Sequence, residues 1–120
     1  MPKRIFIIED DNMTIQILKF LFSKEGYEIF ISKDGLDAIE RIPQETPDLV
    51  ITDIMLPMKS GLEIIQFIKN NYPNTPVLAL SSLGEEEATV LNAFKLGADD
   101  FIAKPFSPNE LLLRVKRYLK

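Results

Sequence analysis

MPKRIFIIEDDN, residues 1–12, runs four apolar side chains, Ile5, Phe6, Ile7 and Ile8, straight into three carboxylates, Glu9, Asp10 and Asp11. An unbroken apolar run of this kind reads as a strand buried on both faces, which is the habit of a parallel sheet. Ending such a strand on a block of negative charge is unfavourable unless the charge has a use. At about 4 Å two like charges repel by roughly 1 kcal/mol in water, and by about 4 kcal/mol at an effective dielectric of 20. Protonation of one acid or binding of a cation relieves the repulsion. Oxygen ligands with no nitrogen or sulfur nearby suit Mg²⁺, which takes one or two carboxylates and keeps several waters.

Working outward, apolar runs recur at 27–31, 49–52, 77–80 and 101–103, and those at 49–52 and 77–80 are again nearly continuous. The segments between them carry helical patterns. Residues 13–24 place Ile17, Leu18 and Leu21 on one face and stop before Gly26. Residues 34–42 carry Leu36, Ile39 and Ile42 and are expected to stop before Pro43. Ser60 and Glu63 have capping-box spacing ahead of Ile64, Ile65 and Ile68. Glu85, Glu86 and Glu87 put negative charge where a helix N-terminus favours it, and that helix runs to Gly97. Ser107, Pro108 and Glu110 supply a cap, a first-turn proline and a capping-box acid before a helix over 111–119. The alternation is (βα)5, one domain over residues 1–120, which calls for a five-stranded parallel sheet with helices on both faces.

Composition narrows the chemistry. At 120 residues, 46% hydrophobic and 27% charged, the chain is long enough to bury a core as one domain. No apolar stretch approaches the ~20 residues of a membrane span, and a secretory signal is not expected. The chain has no cysteine and no histidine. Disulfides, thiolate or imidazole metal sites, Ser-His-Asp triads and a phosphohistidine of its own are therefore excluded. A net charge of −4 argues against a basic face for nucleic acid. Carboxylates, hydroxyls and lysines remain, in what reads as a cytoplasmic protein.

In open α/β sheets ligands sit at the carboxyl ends of the strands. The first strand ends in Glu9, Asp10 and Asp11, the third in Asp53, the fourth in Ser81 and Ser82, and the fifth in Lys104 and Pro105. The second, ending in Ser32 and Lys33, is the odd one out. Each residue has an ordinary explanation alone. Asp11 or Asn12 caps the first helix, Asp53 is a turn residue before Pro57 and Gly61, Lys104 is a solvated lysine, and Ser82 caps a helix through Glu85. What those explanations leave over is the convergence of four strand ends on one rim.

Taken in order and spacing, the stretches IFIIEDD, PDLVITDIMLPMKSG, TPVLALSS and GADDFIAKPF resemble the receiver domain of two-component response regulators along the whole chain. The resemblance implies a flavodoxin-like fold with strand order 2-1-3-4-5. It implies that Asp53 accepts a phosphoryl group from a histidine kinase or a histidine phosphotransfer protein. Asp10 would ligate Mg²⁺ directly, Glu9 through water, and Met55 through its backbone carbonyl. Lys104 would pair with a phosphoryl oxygen, across a cis bond to Pro105. Ser81 would reach the phosphoryl group with its hydroxyl, and Phe101 would turn inward with it as the switch. Asp11 falls one place beyond the family's acid pair.

The span from Ser81 to Gly97 is one residue longer than the common family spacing, so Ser82 competes with Ser81 for the hydroxyl role. Met55 and Leu83, two residues past Asp53 and Ser81, would cover the approach of a hydrolytic water. Asp99, Asp100, Glu110 and Arg114 match charges that pair across a homodimer in the family's DNA-binding branch. The domain itself would bind neither nucleic acid nor membrane, and its only catalysis would be its own phosphorylation and slow dephosphorylation. No effector domain is expected within these residues. A phosphohydrolase of the haloacid dehalogenase type would want a second aspartate two residues past its nucleophile, where Met55 stands. An FMN-binding flavodoxin would want hydroxyls and amides after the first strand, where residues 9–11 would repel the phosphate.

Overall fold

Strands and helices alternate through the computed structural model, which describes residues 1–56, 58–82 and 87–120, the side chain of Glu87 excepted. The elements are β1 (Arg4–Ile8), α1 (Asn12–Lys24), β2 (Glu28–Ser32), α2 (Gly35–Glu45), β3 (Leu49–Asp53), α3 (Gly61–Asn71), β4 (Val77–Ser81), α4 (Glu87–Lys95), β5 (Asp100–Ala103) and α5 (Pro108–Tyr118). The strands form one sheet in the order β2-β1-β3-β4-β5, and every neighbouring pair is parallel. This is the flavodoxin-like architecture that the resemblance implied.

Alternation along each strand sends side chains to two separate cores. Phe6, Ile8, Val50, Val77 and Ala79 face Ala38 and Ile42 of α2, Ile64, Ile65 and Ile68 of α3, and Ala93 of α4. Ile5, Ile7, Leu49, Ile51, Leu78 and Leu80 face Leu18 and Phe22 of α1 and Leu111 and Val115 of α5. β1, β3 and β4 are therefore covered on both sides, and their polar termini are held at the rim. Full burial of each large apolar side chain contributes roughly 1.5–3 kcal/mol.

Among the described residues, four helices begin on a side-chain cap. Asp11 accepts from the Thr14 amide at 3.0 Å, and Asp34 from the Asp37 amide at 2.7 Å. Ser60 and Ser107 accept from the amides of Glu63 and Glu110, each at 3.4 Å. Asp11 also accepts from the Thr14 hydroxyl at 2.6 Å, so its ordinary explanation as a cap holds.

Three helical expectations are corrected. The buried stripe of α1 is Ile15, Leu18 and Phe22, with Ile17 exposed and Leu21 half-buried. Ile17 and Leu21 instead border an open groove beside Pro108. In α2 the buried face is Gly35, Ala38 and Ile42, and Leu36 is exposed. Small Ala38 sits where α2 meets the sheet, whereas the pattern read from Leu36 favoured a bulky contact. Nor does α2 stop before Pro43; it runs on to Glu45, and Thr46 ends it in a left-handed conformation with its amide 3.0 Å from the Ile42 carbonyl. Proline removes one amide from the ladder. In the last turn that loss still leaves the closing bond to form.

Pro57, Leu83, Gly84, Glu85 and Glu86 lie outside the described residues, and with them the expected cap from Ser82 to Glu85 and the acidic start of α4. Among the described residues no helix is long and apolar enough to cross a membrane.

Gly61 sets how closely α3 follows β3. A Cβ there would lie 2.1 Å from the Asp53 carbonyl oxygen and 2.6 Å from the Ile54 Cα, both backbone atoms. The Gly61 amide already bonds the Ile54 carbonyl at 2.8 Å. Gly61→Ala is therefore expected to destabilise the fold by about 1–3 kcal/mol. Urea unfolding should show a lower midpoint at an unchanged slope, and an unshifted midpoint would disprove the close approach.

Candidate functional site

Four strand ends build one pocket, each by a local device. Glu9 leaves β1 fully buried. The chain turns round its carboxylate, and Oε2 accepts from the amides of Asp10 at 3.0 Å and Asp11 at 3.4 Å. Asp10 is exposed. Asp53 closes β3 at 5% exposure, and its Oδ1 accepts from the Met55 amide at 3.1 Å. Lys104 follows β5, its amide 2.6 Å from the Ser81 carbonyl and its bond to Pro105 cis. The Lys104 ammonium reaches across β4, donating to Asp53 Oδ2 at 2.7 Å and to Glu9 Oε1. One carboxylate oxygen from each of Glu9, Asp10 and Asp53 lies within 4.8 Å of the others.

Two of these three acids, Glu9 and Asp53, thus share one ammonium. Burial pushes the Glu9 carboxyl up to about 7; Lys104 opposes the rise and neighbouring Asp53 adds to it. Burial would lower the Lys104 ammonium, but its bonds to Asp53 and Glu9 outweigh that and hold it above its ordinary range. A donor set made only of carboxylate oxygens, still short of positive charge, fits a hard dication such as Mg²⁺.

The structure brings together Glu9, Asp10, Asp53, Lys104 and the backbone of Met55. Ser81 is buried at the end of β4, and exposed Ser82 borders a groove that also contains Lys104. Phe101 is half-buried on the α4 side of the sheet, its ring centroid 6.0 Å from that of Phe94. Leu83, the second expected cover over the pocket, lies outside the described residues. At the end of β2, Lys33 donates to Asn12 Oδ1 at 2.7 Å and the Ser32 hydroxyl to Asp37 at 2.7 Å. That strand end is engaged with α1 and α2. The reading from sequence missed the direct pairing of Lys104 with Glu9, which two opposite charges on one rim could have suggested.

The family model for the response regulator receiver domain matches residues 5–116. The chain belongs to this family. Among solved structures it is similar to a Chloroflexus aurantiacus chain described as a response regulator, at 30% identity and a TM-score of 0.92, covering 99% of this chain and 98% of that one. It is equally similar to the beryllofluoride-activated N-terminal receiver domain of Klebsiella pneumoniae RstA, at 30% identity and a TM-score of 0.91, with 98% and 99% covered. The receiver domain of NtrX from Brucella abortus is 32% identical with a TM-score of 0.88, covering 96% and 97%. Against a longer NtrX chain, 99% of this one matches only 27% of that one. The chain is thus a receiver of two-component signalling, and the acid cluster fits its phosphorylation site. Neither the phosphohydrolase nor the flavodoxin reading is favoured.

The charge balance gives a test in two directions. Asp10→Asn removes one of three crowded acids, so the variant in EDTA is expected to melt a few degrees higher than wild type. Mg²⁺ should raise the melting temperature of wild type and leave the variant almost unmoved. A variant that melts lower in EDTA, or gains as much from Mg²⁺, would contradict this account of the pocket.

Proposed function

We propose that Asp53 is the phosphoacceptor, charged by a histidine kinase or a histidine phosphotransfer protein. The observation that supports it is a nearly buried carboxylate with Oδ1 held by the Met55 amide and Oδ2 by the Lys104 ammonium, beside two further acids. The chain has no histidine, so any phosphohistidine is the partner's. An Asp53 oxygen attacks phosphorus, the nitrogen–phosphorus bond of the donor breaks, and its imidazole leaves. Such transfer depends on positioning and charge neutralisation more than on covalent assistance. Glu9, Asp10, Asp53 and the Met55 carbonyl would hold Mg²⁺, which when bound supplies positive charge to the phosphoryl oxygens. Lys104 can exchange a carboxylate oxygen for a phosphoryl one. This reading places the domain in the cytoplasm with its donor.

Ser81 suits the switch hydroxyl better than Ser82. It ends β4, one residue past Leu80, which is in register with Asp53, and it is buried whereas Ser82 is exposed. Drawn toward a phosphoryl oxygen, Ser81 would shift the end of β4. Phe101 then carries the change to α4 through Phe94. The output lies with another domain or partner, in keeping with the longer NtrX chain. A homodimer formed on phosphorylation would have to exchange existing pairs, since Arg114 already binds Asp100 at 2.7 Å and Glu110 at 2.8 Å, and Lys69 binds Asp99 at 2.7 Å.

Two outcomes are expected. Acetyl phosphate or phosphoramidate with Mg²⁺ should add one phosphoryl group by intact mass, absent in Asp53→Asn; equal labelling of that variant places the acceptor elsewhere. Met55, apolar and exposed beside Asp53, cannot orient a hydrolytic water, so the phosphorylated state should be long-lived. Met55→Asn or Met55→Glu should hasten phosphate release after donor removal, tenfold for about 1.4 kcal/mol of restored water positioning. Equal decay with intact Mg²⁺ binding would remove the apolar cover from the account.

A further inference from the structure

The chain's four methionines are all exposed, although large apolar side chains here are mostly buried. Apart from Met1, they stand close to the acids in sequence. Met13, at 73% exposure, lies in the first turn of α1, three residues after Asp10. Met55 at 67% and Met58 at 73% follow Asp53 on the loop to α3. Met13 also borders a groove of about 480 Å³ with Lys104. Met55 is tied to the pocket most directly, because its amide is bonded 3.1 Å from Asp53 Oδ1. Its side chain therefore springs from a backbone position anchored on Asp53. The chain has no cysteine, so thioethers are its only sulfur.

We propose that Met55 is a reversible sulfoxidation site, and that its oxidation by a hydroperoxide shortens the lifetime of the phosphoryl group on Asp53. The proposal rests on the reading of Asp53 as phosphoacceptor and adds a redox input to the same site. The Met55 sulfur gives two electrons to the peroxide and a sulfur–oxygen bond forms. The oxygen–oxygen bond breaks, the proton on the transferred oxygen passes to the leaving one, and that oxygen departs as water from hydrogen peroxide or as the alcohol from an organic hydroperoxide. The product is polar where the thioether was apolar, and it is reducible by sulfoxide reductases. Its new oxygen is a strong acceptor that can hold and aim a water at the pocket mouth, which the thioether cannot do. Oxidation at Met13 and Met58 makes comparably exposed sulfoxides, but neither is on the amide that bonds Asp53.

The test oxidises the whole chain with hydrogen peroxide and locates the sulfoxides by peptide mass spectrometry. Acetyl phosphate with Mg²⁺ then labels the protein, and the label is followed by intact mass after donor removal. The readout is the ratio of half-lives, unoxidised over oxidised, within each variant. Wild type is expected to give a ratio of about three to ten, restored to one by a sulfoxide reductase. Met55→Leu should give a ratio near one, while Met13→Leu and Met58→Leu keep the wild-type ratio. A ratio near one in wild type with Met55 oxidised, or a full ratio in Met55→Leu, overturns the proposal. No label on Asp53 before oxidation overturns the phosphoacceptor reading itself, and this proposal with it. Normal labelling with an unchanged ratio overturns this proposal alone.

Discussion

The Lys104 ammonium between the carboxylates of Glu9 and Asp53 is the interaction on which the rim depends. Both acids are buried, and removing one member of such a buried set typically costs 3–5 kcal/mol, because a charge is left uncompensated. The ammonium comes from a strand adjacent to neither acid's strand. It starts at the end of β5, passes β4 and meets acids on β3 and β1. Strand order, strand length and the anchoring of the Lys104 amide on Ser81 must all be right for that reach. A compromise results: one cation faces the clustered acids, and Glu9, pushed up mainly by its burial and further by Asp53, is left on the edge of holding a proton. Receptivity to a further cation follows from this shortage.

The two-sided sheet explains how a strained cluster of charge is tolerated. Apolar side chains of β1, β3 and β4 pack on helices above and below, so the strand ends have little freedom to spread. Gly61 adds to this by letting α3 begin against the backbone of Asp53 itself. Repulsion between the acids is thereby stored at a fixed place, available to whatever binds there. Phe101 lies on the α4 face of the same sheet, with Phe94 as its neighbour. A shift at the end of β4 or β5 thus has packed matter to push against, on the side away from α1 and α5.

Much of this was legible in the sequence, for reasons that differ from part to part. Continuous apolar runs ending in acids or hydroxyls marked β1, β3 and β4 because burial on both faces leaves no other pattern. Helix caps at Asp11, Ser60 and Ser107 were readable because their chemistry is local. The faces of α1 and α2 were misread, since Ile17 and Leu36 lie beside the covered stripe and apolar character alone cannot say which stripe the sheet covers. Pro43 misled because its cost depends on its place in the helix. Acids and lysine were predictable as a cluster from strand ends. Their pairing was not, because whether Lys104 faces a ligand or Glu9 depends on distances that only the folded rim fixes.

That pairing has a consequence for how the protein comes into being. Within the chain, Lys104 is made 95 residues after Glu9. A nascent chain that has made only β1 and β3 has these acids without the Lys104 ammonium that pairs with them. Only when β5 emerges and takes its place at the sheet edge does the pocket become electrically tolerable. A fragment stalled before β5 therefore lacks the lysine that pairs with both Glu9 and Asp53.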